Sequence, residues 1–387
     1  MKRLTILCTK KTICISVLLA AGGIAGIFFL TPHGAASVKA AQFLASFAKE
    51  FDVDIPRLPF VKNRAIDVRG VTIPQESGEL AADLYRPLAF SEKVPGVVFS
   101  YGTVFSVKDP RIVKLSTALA QSGIAVLVPH FPDLLGDRVH ERTARQMADA
   151  FLFLGNQDFV DARAVGFIGF CVGGSLALIA AADPAISQKV AFVHVISPYA
   201  DLASFAASVF ANAYETEAGI VAWHPSPQTL SVFQQELLEL LSDREQRILE
   251  QALVTRYLSD DAQETLSPDA QRLWKLFRGG MLQDMRELLQ GLSDEFQETA
   301  RLRSPKTYVS RVSAPVFIAT GFDAFIPPTE SAALARAFGK QAHFARFSFL
   351  EHVDPTGDLP LWKGVWEALR LWKHLEEVFV AIVSPIR

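Results

Sequence analysis

Residues Ala164-Val165-Gly166-Phe167-Ile168-Gly169-Phe170-Cys171-Val172-Gly173-Gly174-Ser175-Leu176-Ala177 decide the reading of this chain. A short apolar run passes without a linker into a run of small and aliphatic residues, which is a buried strand feeding directly into a helix. So abrupt a turn leaves no room for side chains beside its apex, hence Gly169, Gly173 and Gly174 around Cys171. The apex side chain is aimed at the carboxyl edge of a sheet. It also sits on a helix N-terminus, where the positive end of the helix dipole stabilises negative charge on sulfur.

Outward from this turn the same alternation repeats. Ala65–Ile73 and Glu79–Tyr85 read as strands joined by a turn at Gln75-Glu76-Ser77-Gly78. Strand Gly96–Tyr101 precedes a helix over Pro110–Ser122, and strand Ile124–Pro129 precedes a helix over Arg138–Leu154. Beyond the turn come strand Val190–Ile196, strand Pro315–Thr320, helix Thr329–Phe338, strand Ala342–Phe349 and a closing helix over Leu361–Val380. Continuous apolar strands separated by helices predict a mostly parallel central sheet with helices on both faces.

The alternation stops between strands six and seven. Residues 202–304 read as helical throughout, with Phe233, Leu237, Leu238 and Leu241 at helix spacing. Ser242 with Glu245 forms a capping-box pattern, and Ser267-Pro268 is a second helix start. We read an inserted helical cap at 202–304 on a core made of 65–201 and 305–387.

The N-terminus follows different rules. Residues 1–12 carry Lys2, Arg3, Lys10 and Lys11, and an uncharged apolar run covers 13–30. Such a run is a transmembrane anchor or a signal segment. The basic residues before it put residues 1–12 in the cytoplasm and the rest outside. The expected location is therefore membrane-anchored with an extracytoplasmic catalytic domain, or secreted if the segment is cleaved after Ala36 or Ala40. Residues 31–64 read as a linker with one amphipathic stretch, Ala41 to Phe51, and then a Pro-containing extended piece.

A formal net charge of −3 gives no bulk attraction for nucleic acid. Of the three cysteines, Cys8 and Cys14 belong to the N-terminal segment, so Cys171 has no intramolecular disulfide partner in the rest of the chain. It is a buried hydrophobe or a working thiol. A working thiol at such a turn needs an acid and then a histidine later in the chain. Asp323 follows strand Pro315–Thr320 and is the expected acid, ahead of Asp201 and of Asp354. His352, ending Phe347-Ser348-Phe349-Leu350-Glu351, is the expected base; His194 reads as a core residue and His130 as a pocket-border residue. Two backbone donors would hold an oxyanion: Val172 N–H, and either Gly102 or Thr103 N–H after the third strand.

Taken together, the strand order, turn and loop positions resemble the α/β-hydrolase superfamily over 65–201 and 315–372. The fold class implied is an α/β-hydrolase fold with a cap inserted after strand 6. The Gly169-Phe170-Cys171-Val172-Gly173-Gly174 turn resembles that of the dienelactone hydrolase family, as does Val128-Pro129-His130-Phe131-Pro132-Asp133. That resemblance implies a Cys171-His352-Asp323 triad acting on a small-molecule ester or lactone, with no metal and no organic cofactor. The cap and the Gly-x-Cys-x-Gly-Gly turn are also similar to those of polyhydroxyalkanoate synthases. Three readings therefore stand: hydrolysis of an ester, lactone or thioester, acyl transfer, and a non-catalytic binding module.

Overall fold

The computed structural model describes residues 31–50, 64–76, 78–88, 92–103, 106–351, 354–355 and 361–384. The apolar run 13–30, the second half of the expected linker and His352 lie outside the described residues.

Among the described residues nine strands form one sheet in the order β1-β2-β4-β3-β5-β6-β9-β10-β11. They are β1 (Ile66–Gln75), β2 (Gly78–Pro87), β3 (Val94–Ser100), β4 (Ala125–Pro129), β5 (Val160–Phe170), β6 (Val193–Ile196), β9 (Val316–Phe322), β10 (Ala342–Glu351) and β11 (Asp354–Pro355). From β4 to β10 every neighbouring pair is parallel, and antiparallel pairing is confined to β1, β2 and β11. This is the α/β-hydrolase fold. The parallel strands carry Val, Ile, Leu and Phe on both faces because helices cover both faces.

The order of the strands fixes where a site can form. From β3 the chain winds one way to β4, and from β5 it winds the other way through β6, β9 and β10. The loops leaving the carboxyl ends of β3 and β5 therefore diverge and leave a crevice between them. Ser100 and Gly169 are register partners at that edge, so Tyr101–Thr103 and Cys171 emerge side by side.

The core helices are α1 (Pro32–Glu50), α2 (Pro110–Gln121), the short α3 (Pro132–Leu135), α4 (Glu141–Gly155), α5 (Cys171–Ala181), α13 (Pro328–Phe338) and α14 (Leu361–Val383). Helix α1 corrects the expectation of a linker. Thr31 Oγ1 caps it by accepting from Gly34 N–H at 3.1 Å, and Pro32 occupies its first turn. Its Ala36 and Ala40 are fully buried, and Phe43 meets Phe379 of α14 at a centroid distance of 5.9 Å. Small residues at i and i+4 let this helix lie close to α14, so residues 32–50 are core. Both expected cleavage points thus sit on a packed helix face. No helix among the described residues is long and apolar enough to cross a membrane.

The cap holds α6 (Leu202–Ala211), α7 (Pro227–Leu238), α8 (Asp243–Thr255), α9 (Asp260–Glu264), α10 (Pro268–Phe277), α11 (Leu282–Gln290) and α12 (Asp294–Leu302). It is not helical throughout: β7 (Ala213–Thr216) and β8 (Gly219–Ala222) form an antiparallel hairpin. Asn212 in a left-handed conformation ends α6, and Gly219 at φ 120° turns the chain back between β7 and β8. Ser242 does precede α8, but its hydroxyl bonds the Glu245 carboxylate at 2.7 Å instead of capping a backbone N–H.

Candidate active site

The strand β5 ends at Phe170 and α5 begins at Cys171, with no residue between them. Cys171 has φ 55°, a left-handed conformation that costs an L-residue about 1–2 kcal/mol. Its surroundings enforce it. A Cβ on Gly169 would lie 2.6 Å from Gly174 Cα, and one on Gly173 would lie 2.2 Å from the Tyr101 carbonyl oxygen. The strand, the helix and the β3 loop meet with only glycine-sized clearance, and the strained apex holds the thiol at the crevice. Cys171 is 4% exposed.

Opposite it lies Gly102. A Cβ there would stand 2.9 Å from Cys171 Cβ and 3.2 Å from Sγ, so the Gly102 backbone runs directly against the thiol. Thr103, Cys171 and Val172 line one cavity. Val172 N–H, at the first turn of α5, has no partner among the described residues. The three expected oxyanion-hole residues are therefore gathered around the sulfur. Tyr101 is not a further donor, because its hydroxyl donates to Pro129 O at 3.0 Å and burial raises its pKa.

Asp323 immediately follows β9 and is 2% exposed. Its Oδ1 accepts from Phe325 N–H at 2.7 Å and Ile326 N–H at 3.1 Å, which fixes the carboxylate in a tight turn. The same turn places Phe325 and Ile326 on the wall of the Cys171 cavity. Asp201 does other work: it caps α6 through Ser204 N–H at 2.7 Å and pairs with Lys306 Nζ at 2.6 Å. His352 lies outside the described residues; in the sequence it directly follows β10, the neighbour of β9. His130 is bonded to Asp83 at 3.2 Å, at the far side of β2 and β4 from β9.

The cavity, about 50 Å³, has room for about three water-sized groups. The cap closes it with Leu202, Phe205, Ala206, Val232, Phe233 and Phe296. Phe205 and Phe233 meet edge-on at 4.7 Å, and Phe205 stacks on Tyr199. Two charged side chains also reach it. Arg303 binds Glu236, and Glu236 Oε1 accepts from Val139 N–H at 2.6 Å. Burial raises the Glu236 pKa, while the Val139 N–H and Arg303 oppose that rise. Among the described residues no group of three or more His, Cys, Asp or Glu side chains is placed to hold a metal ion.

Other supporting groups escaped the sequence reading. Ser175 Oγ donates to Tyr199 O at 3.1 Å and accepts from Tyr199 N–H at 2.9 Å, tying α5 to the loop after β6. Glu330, 5% exposed on α13, accepts from Ala200 N–H, Asp201 N–H and Ser204 Oγ at 2.9, 3.1 and 2.6 Å. Burial raises its pKa. It anchors the point where the chain leaves the core for the cap. Glu330 stands seven residues after Asp323 in a proline-started helix, and nothing in that local pattern points to α6.

Compared with known proteins, the chain matches no family model and no curated protein in sequence. Several solved structures are similar. The α/β hydrolase GrgF from Penicillium sp. sh18 has a TM-score of 0.49 and 15% identity, over 81% of this chain and 99% of that one. A bacterial brefeldin A esterase has a TM-score of 0.48 and 16% identity, over 90% and 85%. Dipeptidyl peptidase 4 of Porphyromonas gingivalis has a TM-score of 0.47 and 13% identity, over 81% of this chain and 36% of that one. This chain thus spans about a third of the peptidase's length.

Proposed function

We propose that this protein is a hydrolase that cleaves an ester, lactone or thioester through an acyl-cysteine intermediate. One observation carries the reading: Cys171 is held at φ 55° on the start of a helix, with the Gly102 backbone pressed against its sulfur. A merely structural thiol would not require a strained backbone, glycine packing on three sides and an adjoining cavity.

In this mechanism Asp323 orients His352, and His352 accepts the Cys171 proton. The sulfur then bonds to the substrate carbonyl carbon, and the carbonyl π pair moves to oxygen. Val172 N–H and the N–H of Gly102 or Thr103 hold that oxyanion. Its collapse breaks the bond to the leaving alkoxide or thiolate, which takes the proton from His352. Water, deprotonated by His352, attacks the thioester and releases the acid and the free thiol. The dienelactone hydrolase family supplies the expected substrate type, a small ester or lactone. The apolar cap residues favour an uncharged acyl group against Cys171.

A location outside the cytoplasm, tethered by residues 13–30, belongs to the same reading. It is supported by the apolar run itself and by the burial of Ala36 and Ala40 in α1. The full chain, assayed with p-nitrophenyl esters, lactones and acyl thioesters, tests the mechanism. Wild type is expected to turn over at least one class and to carry an acyl adduct on Cys171, while Cys171→Ala and His352→Ala are inactive. Undiminished turnover by Cys171→Ala would overturn the assignment. Products in which an added alcohol, not water, receives the acyl group would place the protein among acyltransferases.

A further inference from the structure

The cap grips the acid-bearing loop at three consecutive carbonyls. Trp223 Nε1 donates to Asp323 O at 2.8 Å, Ser226 N–H to Ala324 O at 2.7 Å, and Thr229 Oγ1 to Phe325 O at 3.2 Å. The donors lie three residues apart, from the end of the β7–β8 hairpin into the first turn of α7. Trp223 is 6% exposed, and its backbone N–H donates to Asn212 O at 2.8 Å, so the main chain that carries the indole is held from the cap side. From the core side, the Asp323 carboxylate already holds the N–H groups of Phe325 and Ile326.

We infer that Trp223 is a positioning residue for Asp323, through which the cap sets the triad acid. The inference rests on the reading of Asp323 as that acid. The indole bonds the main chain of Asp323 itself, and a buried carbonyl deprived of its donor shifts to find another. Moving that carbonyl rotates the peptide that carries the carboxylate. The helix beginning at this clamp, α7, also supplies Gln228, Thr229, Val232 and Phe233 to the cavity wall. An acyl group filling the cavity therefore presses on the same segment that holds the acid in place. Cap seating and acid orientation are one event, not two.

The test compares Trp223→Phe with Trp274→Phe and Asp323→Asn in the full chain, using p-nitrophenyl acetate across pH. Trp274 is a buried cap tryptophan that does not line the cavity, which makes its variant a control for general loss of packing. Trp223→Phe is expected to lower kcat at least tenfold, leave KM within about twofold, and move the acidic limb of kcat/KM to lower pH. The limb moves because a displaced carboxylate stabilises the protonated histidine less. Trp274→Phe is expected to leave kcat and the limb in place. Wild-type kcat and limb in Trp223→Phe, alongside an inactive Asp323→Asn, would overturn this inference and leave the triad standing. An active Asp323→Asn would instead overturn the triad. Should Trp223→Phe fail to fold, Thr229→Val, which removes the Phe325 contact with little change of volume, is read on kcat and the acidic limb alone because Thr229 also lines the cavity; both unchanged would overturn the inference.

Discussion

Substituting Gly102 by alanine probes the closest approach in the molecule between the thiol and the backbone that faces it. The added Cβ would lie 2.9 Å from Cys171 Cβ and 3.2 Å from Sγ, against the 3.4 Å at which ordinary contact begins. Relief requires a movement of about half an ångström, and Cys171 cannot supply it by backbone rotation because it is wedged among Gly169, Gly173 and Gly174. The β3 loop or the sulfur must shift instead, which changes the gap in which a substrate oxygen would be held. A misplacement of about 1 Å at a reacting centre costs on the order of 100-fold, so half of it should lower kcat/KM by about 10-fold. Overpacking of this size costs about 1–3 kcal/mol of stability, which leaves a folded protein. The assay is kcat/KM on the best ester or lactone, with circular dichroism and denaturant midpoints to confirm folding. Gly70→Ala is the control, since a Cβ there meets nothing within 4 Å. A folded Gly102→Ala protein with kcat/KM within twofold of wild type would refute the assignment of this loop to the oxyanion hole.

Two further predictions concern stability. His194 and His374 are buried and their Nε2 atoms lie 3.2 Å apart; burial lowers both pKa values, His374 from 6.5 to about 4. The unfolded chain then binds a proton that the native state refuses, so stability present above pH 6.5 is lost as pH falls, by about 3 kcal/mol for His374 alone near pH 4. Urea midpoints should fall over this window in wild type and fall less in His374→Leu; equal slopes would contradict the prediction. Glu330→Ala should cost about 2 kcal/mol by orphaning buried donors, whereas Lys306→Ala, whose side chain is 53% exposed, should cost less than about 1 kcal/mol. Equal losses in denaturation experiments would remove Glu330 from its anchoring role.

The core was legible in the sequence because β3, β4 and the second half of β5 are short apolar runs, each followed by a helix, a signal carried by local order alone. Phe170-Cys171-Val172 was legible for the same reason: the strand, the apex and the helix are contiguous. Of helix α1 only the amphipathic stretch from Ala41 was legible; its start at Thr31-Pro32 and its place in the core were missed, since its partner α14 lies more than 300 residues away. The β7–β8 hairpin hid in a helical stretch because its residues, such as Ile220 and Val221, are exposed and make no buried alternation. Long-range polar contacts were illegible for a simpler reason. Glu330 with Ala200, Trp223 with Asp323 and His194 with His374 are each a product of folding, and neither partner carries a mark of the other.

The sheet's margins also have a consequence for how molecules of this protein meet one another. A parallel sheet with bare borders is a template on which a second chain can add strands. Here one border is β1, which carries Asp67, Arg69 and Pro74 along its length, and Pro74 has no N–H to offer. The other is β11, two residues long, laid antiparallel on β10. Neither margin presents a long, flat, uncharged ladder. Crowded copies of this protein should therefore resist edge-to-edge growth into fibres while they remain folded.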